Sequence, residues 1–191
     1  ELISENFDNV ANLSNNGWIL NNQSQFSSIY TWGQGNTITN ILGGVEPQIM
    51  FDSHEGAPDS YINVNYLCGV QSGVLSNWMF TPSVSLQNGD VISFYSRTKE
   101  NPTEFADRLE LRIGQGTTPT APNGSNDVGG YTILALTINP NLTTSDYPAT
   151  WTQYSYIVSG IPTLSPCKIA FRYFVNNGGS GNAAINSDLI G

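Results

Sequence analysis

The chain has 191 residues, of which only 11% are charged, and 15 acidic side chains against 6 basic ones leave a net charge of −9. That balance opposes non-specific binding to nucleic acid or to an anionic membrane, and no apolar run approaches the roughly 18 residues of a membrane span. Polarity comes instead from Asn, Ser, Thr and Gly, which suit turns and loop-rich strands better than long helices.

Residues 1–16 are polar and Asn-rich, with Glu5, Phe7 and Asp8 close together, and lack the apolar core of a signal peptide, as in a mature exported chain. Short strands are predicted at 17–20 and 29–32, the second running into Gly33-Gln34-Gly35-Asn36. Residues 37–58 read as irregular, with Asp52, Glu55 and Asp59 gathered around the single His, His54. A strand at 61–65 precedes a Cys68-Gly69 turn. The best-patterned stretch is 76–97: strands at 75–80 and 91–97 flank a polar connector that ends in the Asn88-Gly89-Asp90 turn. Residues 107–113 alternate cleanly, Leu109, Leu111 and Ile113 against Arg108, Glu110 and Arg112. Residues 117–130 form a Pro-, Gly- and Asn-rich loop, expected to be the most mobile part of the chain. Strands at 131–138, 151–158, 168–175 and 185–190 complete the set, with Asn176–Asn182 a glycine-rich connector before the last. No segment shows a sustained 3.6-residue period. About ten short strands with turn signals between them predict an all-β, antiparallel β-sandwich, a jelly roll, formed by residues 1–191 as one domain.

The chemistry-bearing residues exclude more than they select. One His and two distant Cys offer no zinc spacing. A Ser-His-Asp site would need His54, which sits in an acidic loop with no nucleophile elbow nearby. A glycosidase needs two facing carboxylates, and Asp107 and Glu110, three apart on a strand, project to opposite faces. Calcium suits the abundant carboxylate and amide oxygens, with Glu5 and Asp8 as one cluster and Asp52, Glu55 and Asp59 as another. For an organic ligand, Trp32 beside two glycines is the candidate exposed aromatic; the row Arg108, Glu110 and Arg112, with Asp107 at its start, either lines a polar binding face or forms a cross-strand charge ladder. Cys68 and Cys167 either form a disulfide, contributing roughly 4–5 kcal/mol across a loop of about 100 residues, or remain two buried thiols. An exported setting favours the bridge.

Several runs, in order along nearly the whole chain, resemble a choice-of-anchor J domain: SENFDNV with Gly17-Trp18, SNWMFTPSVSLQNGDVISFYSRT, FADRLELRIG, YPATWTQYSYIVSG, KIAFRYFV and NSDLIG. That family is related to the cleaved-adhesin domains of bacterial surface proteins. The resemblance implies a jelly roll of the galactose-binding or MAM-like kind in an exported or cell-surface bacterial protein. It also implies a noncatalytic module for adhesion or carbohydrate binding, whose partner is a glycan or a cell-surface or matrix protein; the chain itself is expected to be a monomer. It further implies a structural Ca²⁺ where the first and last strands meet, held by Glu5, Asp8 and Asp188. The cysteines are not part of the family pattern, which fits a lineage-specific Cys68–Cys167 bridge. A sandwich-fold glycoside hydrolase and a purely structural surface-layer spacer are the alternative functions.

Overall fold

The computed structural model describes residues 3–35, 50–99, 101 and 104–191; most of the irregular segment expected at 37–58 lies outside them. Its main sheet is antiparallel and built on one long strand, β10 (Ser165–Gly178). On one side β10 pairs with β4 (Gly73–Phe80), which in turn pairs with β1 (Ile19–Asn22). On the other it pairs with β7 (Leu109–Gln115) and, beyond that, β8 (Ile133–Ile138). A further short strand, β5 (Val84–Leu86), pairs with the first residues of β10, Ser165 standing opposite Leu86. The sequence reading assigned 84–86 to the connector, because three residues are too few for alternation to register.

Two smaller antiparallel pieces form the second layer. One pairs β6 (Val91–Ser96) with β9 (Thr152–Ile157); the other orders β11 (Leu189–Ile190), β3 (Ile62–Asn65) and β2 (Gly33–Gln34). Arg97 and Gly191 join the pieces by exchanging two backbone hydrogen bonds of 3.0–3.1 Å. The all-β, antiparallel sandwich expected from the sequence is thus the observed architecture. A 3₁₀ turn at Val10–Asn16, unanticipated from the sequence, ends at Gly17 and inserts Val10 and Leu13 into the core.

Alternation on the central strands decides what each face buries. Cys167, Ile169, Tyr173 and Val175 of β10, with Leu109, Leu111 and Ile113 of β7, face the second layer and are buried. Burying one such aliphatic side chain contributes about 1.5–3 kcal/mol. Phe171 meets Phe94 of β6 edge-to-face at 5.0 Å, fixing the two layers against each other. The opposite face of the main sheet carries Trp78, Phe80 and Ala170, and these too are buried, under Tyr131. The loop at 117–130 lies on that face instead of standing free: Gly114 of β7 leaves room for Pro119, whose Cβ would be 2.8 Å from a Cβ at that position.

The expected disulfide is not formed. Both cysteines are free and buried, in different core clusters. Cys68 Sγ lies 3.9 Å from Ser24 Oγ, which accepts from the Ser76 amide, and Ser76 is opposite Phe174 of β10. Cys167 sits seven positions earlier on the same strand, a separation of roughly 23 Å at about 3.3 Å per residue, far beyond the reach of a bridge. Burial drives the Cys68 thiol up to about 12, which keeps it protonated and unreactive. The melting temperature should therefore be the same with and without reductant. A thiol reagent should label two groups only after denaturation, and a reductant-sensitive melt would restore the bridge.

Candidate functional site

The row Arg108, Glu110 and Arg112, expected either to line a polar binding face or to form a cross-strand charge ladder, is tied up in ion pairs and hydrogen bonds within the fold. Glu110 of β7 is 6% exposed and receives Arg112 Nε at 2.7 Å and Arg172 Nη1 at 3.2 Å on the same oxygen, Oε2. Arg172, 2% exposed, also donates through Nε to Ser76 Oγ at 2.9 Å and through Nη2 to the Ser125 carbonyl at 2.6 Å. Its guanidinium is 3.6 Å from the Phe174 ring centroid and 4.9 Å from that of Trp78. Burial lowers its pKa to about 10, opposed by Glu110, so it remains charged at neutral pH. Arg108 donates to the Phe174 carbonyl at 2.7 Å and lies over that ring. Arg172, paired with Glu110, thus holds the 117–130 loop through Ser125, and Arg112 reaches the Tyr131 carbonyl just beyond it, whereas Arg108 turns to Pro140 and Asn176.

Trp32 is also not an exposed aromatic. It is 5% exposed, in the core with Leu75 and Val175, and its indole N–H donates to the Asn77 carbonyl at 3.3 Å. Pairing of Gly33 and Gln34 with β3 accompanies that inward placement, while Ile29, expected within a strand, is 92% exposed.

Nor do Glu5, Asp8 and Asp188 converge on a calcium site. Glu5 accepts from the Phe7 amide and Asp8 from Asn6 Nδ2, whereas Asp188 faces a different hollow and forms an ion pair with Lys99 at 3.0 Å. Asp8 instead approaches the second acidic cluster, its Oδ1 3.3 Å from where a Cβ on Gly56 would stand. Among the described residues no three His, Cys, Asp or Glu side chains are grouped to share an ion.

Two of the predicted residues, Asp107 and Asp188, do meet, at one end of the sandwich. Asp107 is 1% exposed. Its Oδ1 accepts from Tyr173 Oη at 2.6 Å and from the Asp188 amide at 2.7 Å, and its Oδ2 lies 3.4 Å from Thr98 Oγ1. Thr98 in turn donates to the Leu189 carbonyl, so the stretch leading into β11 is held from below by three buried polar side chains. Above this support lies a hollow of about 410 Å³, walled by Lys99, Glu104, Phe105, Tyr66, Asn186 and Asp188 and by the glycine-rich connector. Gly179 makes that wall possible: its φ is +105°, and a Cβ there would stand 2.1 Å from the Gln71 carbonyl oxygen. Ser180 then docks on Gly69, and Gly179 N–H on Ser187 Oγ.

The resulting pocket holds a fixed ion pair, a further carboxylate, side-chain amides and two aromatic rims. Its polar groups can bind hydroxyls in both directions, carboxylate as acceptor and ammonium or amide as donor. Sequence reasoning placed Asp188 in a metal site and missed Lys99, Glu104 and Tyr66. The signal that was available is the glycine-rich run 176–182, whose composition suits a close backbone approach rather than a strand.

No family model matches the chain, and no curated protein matches it either. Among solved structures it is similar to the K3 cleaved adhesin domain of Lys-gingipain from Porphyromonas gingivalis, at 14% identity and a TM-score of 0.43. That match covers 88% of this chain and 93% of that one. The choice-of-anchor J resemblance therefore stays on the sequence runs that carry it.

Two outcomes follow from the buried ionisable groups. Burial raises the Asp107 pKa to about 7, against an ordinary value of 3.8. The folded state then holds a proton that the unfolded chain has released, so stability is highest below about pH 4 for this group and falls as pH rises towards 7. The full effect is of the order of 4 kcal/mol. Chemical denaturation from pH 4 to 8 should show this decline, and Asp107→Asn should flatten it; an equal slope in both proteins would remove Asp107 as its source. Separately, Glu110→Ala leaves Arg172 buried without its carboxylate and should cost about 3–5 kcal/mol in denaturant titrations. A loss below about 1 kcal/mol would mean the pair is solvated.

Proposed function

We propose that this chain is a noncatalytic recognition module of an exported or surface-attached bacterial protein, and that its end pocket binds a neutral carbohydrate. The observation that carries this reading is the pocket's make-up. The Lys99–Asp188 ion pair is positioned by buried Asp107 and Thr98, Glu104 and Asn186 stand beside it, and Tyr66, 37% exposed, forms an aromatic rim. Carboxylate, ammonium and amide groups around one hollow match the donor and acceptor hydroxyls of a sugar, and an exposed ring offers its face to the C–H side of the same sugar. The net charge of −9 disfavours an anionic polysaccharide. A role in adhesion is supported by the choice-of-anchor J resemblance.

Screening neutral oligosaccharides on an array, followed by calorimetry on the hits, tests the reading. Binding should weaken at least about ten-fold in Tyr66→Ala and in Glu104→Gln, losses of about 1.4 kcal/mol or more. Both changes lie on the pocket wall and should leave the melting temperature within a few degrees. Turnover of a polysaccharide would move the pocket to the hydrolase reading, with Glu104 and Asp188 as the carboxylates to examine. An array without hits would leave a structural spacer as the better account.

A further inference from the structure

An asparagine followed by glycine can be attacked by its own main chain, because glycine sets no side chain between the attacking nitrogen and the asparagine amide. The chain has such pairs at Asn16, Asn88, Asn123 and Asn177. Three of them are held by the fold. Asn88 Oδ1 accepts from the Ile161 amide at 2.7 Å, and Gly89 N–H donates to the Val158 carbonyl at 3.0 Å. Gly178 is buried and stands opposite Gly73 of β4, and a Cβ on it would lie 2.9 Å from the side chains of Leu75 and Ser187. Asn16 closes the 3₁₀ turn, where Gly17 N–H donates to the Ser14 carbonyl and the amide of buried Trp18 to that of Leu13. In each case the attacking nitrogen moves only if packed backbone moves with it.

Asn123 and Gly124 differ. Asn123 is exposed, and among the described residues nothing hydrogen-bonds its side-chain amide. Gly124 has φ +100°, with no atom within 4 Å of where a Cβ would stand. Its N–H is held by a side chain alone, Gln23 Oε1 at 2.8 Å. The flanking backbone is fixed: Asn123 N–H donates to Asp127 Oδ2 at 2.8 Å, and the Ser125 carbonyl accepts from Arg172 Nη2 at 2.6 Å. The pair is thus an open span directly before the contact by which Arg172 holds the loop.

We propose that Asn123 is a site of spontaneous covalent modification, and that one of its two products releases the loop from Arg172. The Gly124 nitrogen bonds to Asn123 Cγ and loses its proton, while the side-chain nitrogen takes up a proton and leaves as ammonia, closing a succinimide. Water then adds to one of the two ring carbonyls, and the C–N bond at that carbon breaks. Opening at Cγ gives aspartate; opening at the main-chain carbon gives isoaspartate, with the backbone now running through the former side chain. The sum is amide hydrolysis, with water as the only co-reactant. Aspartate keeps the length of the main chain. Isoaspartate lengthens it by one carbon, roughly 1.5 Å, immediately before Gly124 and Ser125. A hydrogen bond of 2.6 Å does not tolerate that displacement, and Arg172, 2% exposed, has little water to replace the lost carbonyl.

Ageing the intact chain in mildly alkaline buffer tests this, beside a synthetic peptide of residues 119–128. Peptide mapping by mass spectrometry counts conversion at each pair, and labelling with an isoaspartyl methyltransferase separates the two products. Asn123 should convert within about ten-fold of the rate in the peptide, and at least about ten-fold faster than Asn16, Asn88 or Asn177. The isoaspartate fraction should melt several degrees below the fresh chain. Asn123→Asp, which adds the charge without lengthening the backbone, should melt close to it, and Asn123→Gln should not age at this position. No conversion at Asn123 while the peptide converts, or earlier conversion at another of the four pairs, would overturn the site. An isoaspartate form that melts with the fresh chain, or Asn123→Asp melting as low as that form, would overturn the link to Arg172.

Discussion

A guanidinium buried in the middle of a β-sheet is the demand around which much of this molecule is arranged. Arg172 lies on the central strand β10, and an unpaired charge at that depth is untenable. Its neighbours answer in every direction: Glu110 from β7, Ser76 from β4, the Ser125 carbonyl from above, and the rings of Phe174 and Trp78 on its sides. The Ser125 contact draws the 117–130 loop onto the sheet, and the loop in turn brings Tyr131 over Trp78 and Phe80. Both faces of the main sheet are consequently covered, one by the second layer and one by a loop. Around Arg172 and Trp78, neither face of the central strands is open to solvent.

The second buried ionisable group, Asp107, lies at one end of the sandwich. It spends its hydrogen-bonding capacity on holding other groups, above all the Asp188 amide. A protonated Asp107 keeps Oδ1 free to accept from Tyr173 and Asp188, with Thr98 Oγ1 beside Oδ2. The support beneath the pocket therefore survives the change of charge, although its contribution to stability does not. Rigid placement matters for a weak, polar ligand, because each hydroxyl contact is worth little unless the groups that make it are already ordered.

Much of the fold was legible because alternation reports burial directly. In 107–113 and 168–175 the apolar positions read from the sequence are those that face the second layer. Alternation could not say what lies over the other face. Arg108, Glu110 and Arg112 read as solvent-facing because their row is polar, but Arg172 of the neighbouring strand takes up Glu110 and carries the loop that follows β7. Trp32 misled for a related reason: glycine neighbours suggested an exposed turn, but short pairing with β3 turns the indole inward. The cysteines failed on geometry, since placement within β10 depends on a register that no local pattern encodes. The pocket was the least legible part, being assembled from short stretches around residues 66, 99, 104, 180 and 188 that no single motif spans.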